Sequence, residues 1–326
     1  MTQTSGKLSC SPPPEKFRRC SYRPLTKVHT YFDDIAKSAA LYTMPPYFPH
    51  KGFQNKVIAI TPENNSYFGI WVADFIPSIH ILSGGNNLPQ RFKLVHPDDS
   101  PIFNETHHQN TVEDGISDWI LEKAKETYTS KVTKEDLFHY VYGFLHSPIY
   151  RKKYANTLTK QAPSIPLVDE NSFWPYVNIG KKLMDLHLDY ENQPKLPEVE
   201  VSGEEHENFM IRKMQFAKDD KTRIVFNDDI TISGIPLKAY DYLITDKSAI
   251  WWVMNQYEAT IGNGKKYRNR KQSANRKDEK DIPNDPNIYA QEIGNPRYIL
   301  DLLLSVITLS VKTLDIVEEL REININ

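Results

Sequence analysis

The sequence predicts an α+β protein in which small sheets of short strands alternate with helices. Short runs of β-branched and aromatic residues, separated by Asn, Gly and Asp, indicate strands joined by turns. Longer segments with apolar residues three and four positions apart indicate helices. Along the chain these patterns follow the order β, α, β, α, without an internal repeat. That order favours a mixed architecture over a doubly wound parallel sheet.

Length and composition describe a globular chain that can bury a core. Its 326 residues suffice for one large domain or two modest ones. A hydrophobic fraction of 39% with 25% charged residues excludes the intrinsically disordered class. The formal net charge is −2, so overall charge does not indicate nucleic-acid binding. Any such contact would come from local basic patches, balanced by acidic segments such as residues 198–207.

The cysteines and apolar segments favour a cytoplasmic protein that does not enter a membrane. Cys10 and Cys20 are the two cysteines, and neither belongs to a zinc-binding pattern. A reducing compartment is their simplest context. Residues 298–311 are strongly apolar but include Asp301 and are too short to span a bilayer, so we expect a buried helix. The N-terminus lacks the apolar core of a signal peptide.

Three parts are expected along the chain. Residues 1–15 are polar, contain three consecutive prolines and predict a flexible leader. Residues 16–130 are expected to be rich in strands, and residues 131–326 to combine helices with a second group of strands. In the strand-rich part we expect strands over residues 56–61 and 67–75 around the turn 64–66, then a turn over 83–87 and an extended segment over 88–95.

Helix boundaries in the last part follow from capping residues and periodicity. Thr133 with Asp136 three residues later indicates a helix N-terminus, and Pro148 fits the first turn of a second helix. The expected helices are one that begins at Thr133 and includes residues 137–145, followed by helices over 148–160, 172–188, 248–257 and 296–319; the expected second group of strands covers 210–217, 222–227 and 230–233. Aromatic and histidine side chains on these helices are expected in the core: Phe144, Trp174, His139, His146 and His187.

Several motifs in a fixed order resemble one protein family. The resemblance is densest over residues 136–190 and extends over about residues 16–321. It is carried by residues 22–25 (YRPL) followed by 31–33 (YFD), 74–80 (DFIPSIH) followed by 83–85 (SGG), 230–242 (ITISGIPLKAYDY), 284–287 (NDPN) and 296–303 (PRYILDLL). The family commonly has Phe where this chain has Leu25. The chain resembles the C-terminal specificity region of the type ISP restriction–modification enzymes, which join nuclease, helicase-type ATPase, adenine methyltransferase and target-recognition parts in one polypeptide.

The resemblance implies a target-recognition-like fold that reads a short asymmetric sequence in duplex DNA. It also implies methyltransferase, helicase and nuclease modules of the same system as partners. Two alternatives remain open: a docking module that binds a partner methyltransferase–helicase without contacting DNA, and a truncated remnant of a full-length enzyme. Residual methyltransferase activity is the weaker enzymatic alternative.

Apparent catalytic signatures in the sequence lack the residues that their chemistry needs. Residues 44–47 (MPPY) resemble the NPPY loop of amino-methyltransferases, but Met44 replaces the Asn whose carbonyl would accept a hydrogen from the adenine amine. Residues 262–266 (GNGKK) lack the spacing and hydroxyl residue of a phosphate-binding loop. The pairs at 98–99 and 228–229 are Asp residues in predicted turns. We therefore expect no catalytic residue, metal ligand or cofactor, and no enzymatic activity of the isolated chain.

Three segments are candidates for DNA contact, and each also has a purely structural explanation. The basic segment 265–280 offers cations for phosphates, or is a solvated loop. The turn over 83–87 lies beside amides and a guanidinium that suit base edges, or simply permits unusual backbone angles. The helix from Pro148 has a basic face, which is also common on solvated helices. The predicted contact residues are Asn86, Asn87, Gln90, Arg91, Arg151, Lys152, Lys265, Lys266, Arg268, Arg270 and Lys271.

Overall fold

The protein is described by a computed structural model, which covers residues 17–31, 47–48, 52–78, 80–82, 86–88, 92–95, 111–261, 265–266 and 285–323. Helices and small sheets alternate along the chain, so the predicted α+β class is confirmed. The predicted leader, the turn at 83–85 and most of the basic segment lie outside the described residues.

The strand-rich part forms three small sheets. Its strands are β1 (Phe17–Arg23), β2 (Thr26–Tyr31), β3 (Val57–Ile60), β4 (Ile70–Ala73), β5 (Ile76–Pro77), β6 (Asn86–Leu88), β7 (Phe92–Val95) and β8 (Thr111–Asp114). The strand orders are β2-β1-β5, β4-β3-β6 and β7-β8. Residues 88 and 92–95 are extended as predicted, but they belong to two sheets, because β6 pairs with β3 while β7 pairs with β8. The turn predicted over 83–87 is wrong for Asn86 and Asn87, which pair with β3 as part of β6.

Strands β3 and β4 separate two hydrophobic cores. Alternate residues of a strand point to opposite faces, so a fully buried strand contributes to both sides. Val57 and Ala59 pack in what we call the first core, whereas Ile58 and Ile60 pack in the second core. This arrangement explains why both strands are apolar throughout, rather than alternating between apolar and polar residues.

Helices that follow the first sheets build the second core. They are α1 (Asp118–Thr127), α2 (Lys134–His146), α3 (Pro148–Lys153), α4 (Ala155–Leu158) and α5 (Glu170–Leu188). The predicted capping box is confirmed, since Thr133 Oγ1 accepts from Asp136 N at 3.1 Å and Asp136 Oδ2 accepts from Thr133 N at 2.9 Å. Phe144 is fully buried as expected, whereas Trp174 is only partly buried.

The single helix predicted over 148–160 is wrong, because the backbone breaks at Tyr154. This residue has φ −110° and ψ 20°, which ends α3 before α4 begins. Just after α4, the carbonyl of Thr159 accepts a hydrogen bond from the backbone N–H of Asn65 at 2.9 Å, a contact with the segment between β3 and β4.

The remaining strands and helices complete the first core. They are β9 (Glu200–Ser202), β10 (Gln215–Ala217), β11 (Asp220–Val225), β12 (Thr231–Ser233), α6 (Ala249–Gln256), β13 (Thr260–Ile261), β14 (Lys265–Lys266), α7 (Ile288–Glu292) and α8 (Tyr298–Glu318). The predicted meander is confirmed and gains β9, giving the order β10-β11-β12-β9. Helix α8 is largely buried, as its apolar sequence predicts. Both cores draw residues from either side of residue 131.

Candidate nucleic-acid interface

The described part of the predicted contact residues lies at three positions in the fold. Asn86 and Asn87 lie on β6, opposite Ile60 and Ala59 of β3. Lys265 and Lys266 form β14, opposite Ile261 and Thr260. Arg151 and Lys152 lie on α3. The other predicted contacts, Gln90, Arg91, Arg268, Arg270 and Lys271, lie outside the described residues.

Arg151 is engaged within the fold, whereas its neighbour Lys152 is exposed. The Arg151 Nε donates to the carbonyl of Leu145 at 2.7 Å, and the guanidinium lies 5.5 Å from the centre of the Phe68 ring. Burial lowers the pKa of Arg151 from its usual value. The guanidinium therefore joins the end of α2 to the segment between β3 and β4.

Two of these positions come together at one end of the β4-β3-β6 sheet. Ile60 is the last residue of β3, and its partner Asn86 is the first residue of β6. Beyond Ile60 the chain turns through residues 61–69, which contact Arg151 through Phe68 and Thr159 through Asn65. We refer to residues 61–69, Asn86 and residues 151–160 as the sheet-end surface.

The strand pair β13–β14 lies next to a group of hydrogen bonds made by residues 211 and 212. Just before β13, the Ala259 N–H donates to the carbonyl of Arg212 at 2.8 Å. The neighbouring Ile211 N–H donates to Asn287 Oδ1 at 2.9 Å, and Asn287 Nδ2 donates back to the Ile211 carbonyl at 2.8 Å. These bonds hold together both sides of the basic segment, at residues 259 and 287.

Arg23 contacts the segment that precedes the turn predicted over residues 83–87, a contact that the sequence analysis missed. Its Nη1 donates to the carbonyl of His80 at 2.6 Å, three residues before that turn begins. The guanidinium also lies 5.4 Å from the ring centre of Tyr22 and 5.9 Å from that of Trp252. A planar guanidinium stacks on aromatic rings while still donating hydrogen bonds. Arg23 belongs to the motif at residues 22–25, but no sequence pattern indicates its contact with Trp252, which lies far away along the chain.

A buried polar network lies beneath α2 and connects it to α5 and α8. His187 Nδ1 is 2.7 Å from the Tyr142 hydroxyl, and His187 Nε2 is 2.9 Å from Thr313 Oγ1 and 3.3 Å from the Tyr242 hydroxyl. Burial lowers the pKa of His187 to about 3, so the imidazole is neutral. His146 Nδ1 lies 2.8 Å from the Tyr142 carbonyl. The expectation that these two histidines are satisfied core residues is confirmed.

A cavity of about 590 Å³ lies at the opposite end of strands β3 and β4. Aromatic walls include Phe53, Phe75 and Phe138, and charged groups of both signs line it, including Arg18, Lys56 and Asp74. The Arg18 Nη1 already donates to the Phe48 carbonyl at 2.7 Å. This mixture of charges does not select one class of ligand.

The described residues contain neither a metal-binding cluster nor a membrane-spanning helix. Within the described ranges, no three His, Cys, Asp or Glu residues are grouped so that they could bind a metal ion. No described helix is both long and apolar enough to cross a bilayer. Asp228 and Asp229 lie in the turn between β11 and β12, where Asn227 Oδ1 accepts from the Asp229 N–H at 3.0 Å. The prediction that this pair belongs to a turn is confirmed.

Comparisons with known proteins identify the family. The family model for the Type ISP C-terminal specificity domain matches residues 2–302. No curated protein sequence matches the chain. Among solved structures, the type ISP restriction–modification enzyme LlaBIII bound to DNA is 31% identical with a TM-score of 0.78, over 97% of this chain and 19% of LlaBIII.

Two further structures share the fold. A nuclease-deletion mutant of the type ISP enzyme LlaGI, in complex with a DNA substrate mimic, is 32% identical with a TM-score of 0.73, over 96% of this chain and 25% of that one. A DrdV–DNA complex has a TM-score of 0.73 at 24% identity, over 94% of this chain and 28% of that one, which shows likeness of fold. The chain therefore spans 19% to 28% of the length of these three proteins, and it belongs to the type ISP C-terminal specificity domain family.

Proposed function

We propose that this chain recognises a short asymmetric sequence in duplex DNA, as the specificity part of a type ISP restriction–modification system. The observation that carries the proposal is the likeness along almost the whole chain to LlaBIII, whose structure was solved bound to DNA. LlaGI, at 32% identity, was solved with a DNA substrate mimic. We propose the methyltransferase, helicase and nuclease modules of the same system as its partners, and the cytoplasm as its location.

The sheet-end surface supports the proposal through its polar and basic composition. Lys152, Lys153 and Lys160 are exposed there, and Asn86 begins the strand beside the turn. Lysines suit phosphates, which position a protein on DNA, and amides suit base edges, which specify the sequence. We retain Asn86, Asn87 and Lys152 as proposed contacts, together with Gln90, Arg91, Lys265, Lys266, Arg268, Arg270 and Lys271. Arg151 is proposed to position this surface through its contacts with the Leu145 carbonyl and the Phe68 ring.

We further propose that the isolated chain catalyses no reaction and binds neither S-adenosylmethionine nor ATP. The methyltransferase-like motif has Met44 where the amide acceptor would stand, and residues 262–266 do not have the sequence of a phosphate-binding loop. Calorimetric titration of the chain with S-adenosylmethionine and with ATP is expected to give no heat of binding. Micromolar binding of either one contradicts this part of the proposal.

The second candidate function is a docking module for a partner methyltransferase–helicase. The observation that favours it is the aromatic cavity beside β1, which lies at the other end of β3 and β4 from the sheet-end surface. Pockets of this size with apolar walls and a few polar groups accept ligands or anchoring side chains. A docking module needs no affinity for DNA of its own, so DNA binding separates the two functions.

Fluorescence anisotropy with labelled duplexes at several salt concentrations tests the proposal. Phosphate neutralisation releases counterions, so the logarithm of the binding constant should fall linearly with the logarithm of salt concentration. We expect this dependence for the unmutated chain. A chain that binds no duplex even at low salt contradicts DNA recognition and favours the docking module.

A further inference from the structure

The turn of residues 61–69 is closed by its own hydrogen bonds. The backbone N–H of Thr61 donates to the carbonyl of Gly69 at 3.1 Å. The Thr61 hydroxyl donates to the carbonyl of Tyr67 at 3.2 Å and accepts from the Gly69 N–H at 3.2 Å. These bonds extend the β3–β4 pairing into the turn and fix the base from which its tip projects.

Contacts on two sides hold the same turn in place. On one side, the Asn65 N–H donates to the Thr159 carbonyl at 2.9 Å. On the other, Gly69 packs so closely that a Cβ there would lie 2.6 Å from the Ile244 carbonyl oxygen and 2.8 Å from Thr245 Cγ2. A segment held in this way loses little conformational entropy on binding, which is what a side chain that reads a ligand requires.

Asn64 lies at the exposed tip of this turn in a left-handed conformation, with φ 57°. Asn adopts this region more readily than most residues. The neighbouring Asn65 uses its Oδ1 to accept from the Ser66 N–H at 2.7 Å. Among the described residues, no hydrogen bond engages the Asn64 amide. The turn therefore presents one exposed carboxamide from a fixed backbone.

The charges around the tip favour an anionic partner. Lys152 and Lys153 are exposed on α3, and Lys160 is exposed just after α4, next to Thr159, whose carbonyl accepts from the turn. Glu63 is the exposed acidic residue within the turn, and it discourages close approach of phosphates to the tip itself. This distribution suits a duplex whose phosphates lie over the helices while a base edge lies over the tip.

We propose that the turn of residues 61–69 is a base-reading element and that Asn64 determines specificity at one base pair. The expected ligand is an adenine edge in the major groove, since a carboxamide can accept from N6 and donate to N7 of adenine at once. This inference rests on the proposed DNA recognition and assigns part of it to a turn that the predicted contact residues do not include.

The test compares variants on the duplex that the unmutated chain selects from a randomised pool. Asn64→Gly removes the carboxamide and keeps a residue that accepts positive φ. Asn64→Asp keeps the size of the side chain and replaces its donor with a charge. Asp219→Gly is the matched control, since Asp219 is exposed with φ 59° in the turn between β10 and β11.

Asn64→Gly and Asn64→Asp are expected to weaken binding to the selected duplex about 5- to 150-fold, the equivalent of losing one bidentate base contact. For Asn64→Gly, binding to unrelated duplexes and the salt dependence should stay as in the unmutated chain, because no charge and no phosphate contact is changed. Relaxed preference at a single base pair should appear on reselection. Asp219→Gly should change none of these.

The outcomes separate this inference from the proposed function. If the unmutated chain reads a sequence and Asn64→Gly reads it equally well, the inference is overturned while DNA recognition stands. An equal loss on all duplexes also overturns it, because that pattern belongs to a phosphate contact or a misplaced turn. If the unmutated chain binds no duplex, both fail.

Discussion

Arg151 and Lys152 show that adjacent basic residues can have different roles. The sequence presents both as cations on one helix, so both were predicted to contact DNA. The structure places the Arg151 guanidinium between the Leu145 carbonyl and the Phe68 ring, while Lys152 is exposed. The sequence could not distinguish them, because the difference depends on Phe68, which lies far away along the chain.

Substitution of these two residues should affect different properties. Arg151→Ala is expected to lower the free energy of unfolding by about 1.5–3 kcal/mol, since it removes a charged donor from a backbone carbonyl. Lys152→Ala should leave stability unchanged and reduce the salt slope of DNA binding by about one, if Lys152 contacts a phosphate. Urea unfolding and anisotropy measure the two effects. An Arg151→Ala chain with unchanged stability would contradict the conclusion that Arg151 stabilises the contact between α2 and the segment that joins β3 to β4.

His187 makes stability depend on pH with a definite sign. Its pKa is lowered to about 3 in the folded chain, against about 6.5 for an unfolded histidine. Between these two pKa values the unfolded chain binds a proton that the folded chain does not. The contribution of His187 to stability is therefore fully present above about pH 6.5 and is lost progressively as the pH decreases toward 3. Burial lowers the pKa of His146 as well, which adds a contribution of the same sign.

Replacing His187 should flatten this pH dependence. His187→Gln is expected to be less stable at neutral pH, because Tyr142 and Thr313 lose their partner. Its stability should also fall less steeply between pH 6 and 5, by about 1 kcal/mol per pH unit. Urea unfolding across this range measures the slope, with the exposed His206→Gln as control. Equal slopes for His187→Gln and the unmutated chain would show that His187 is not the titrating group.

At the scale of helices and strands, features set by neighbouring residues could be predicted from the sequence. Interruptions set by tertiary contacts could not. The capping box at Thr133 and Asp136 involves residues of one turn, so the sequence contains all of it. The break at Tyr154 and the separation of β6 from β7 depend on partners distant in sequence. Periodicity cannot show such breaks, because apolar spacing continues across them.

The crossing of α2 and α5 depends on two glycines, Gly143 and Gly180, which no sequence pattern distinguishes from other helical positions. A Cβ on Gly180 would lie 1.9 Å from the His139 carbonyl oxygen, and one on Gly143 would lie 2.2 Å from the Tyr176 carbonyl oxygen. The two helix backbones are thus in direct contact, which brings Phe144 and Phe173 into one aromatic core. A side chain at either position must push the helices apart.

Gly180→Ala is therefore expected to destabilise the protein although alanine favours helices. The gain in helix propensity is about 1 kcal/mol, and overpacking against backbone costs about 1–3 kcal/mol or more. Chemical denaturation should show a net loss of stability. Asn178→Ala, at an exposed position on the same helix, should be neutral or slightly stabilising. A stabilised Gly180→Ala chain would mean that α2 and α5 are not in backbone contact.

At the scale of the whole molecule, the sequence predicted the class of the fold and the family but not how the parts assemble. The order of strands and helices, the meander of β10 to β12 and the buried α8 followed from composition and periodicity. The sharing of β3 and β4 between two cores did not, because a short apolar run looks the same whether one or two layers cover it. The sheet-end surface arises from that assembly, so its members were predicted only in part.

Selection of duplexes from a randomised pool by the unmutated chain is the most direct test of the proposed DNA recognition. We expect enrichment of one short asymmetric sequence, with specific affinity well above the affinity for unrelated duplexes at physiological salt. The nonspecific affinity should decline with salt as phosphate contacts require. Failure to retain duplex at low salt, or retention without enrichment of any sequence, would contradict the conclusion that this chain reads DNA.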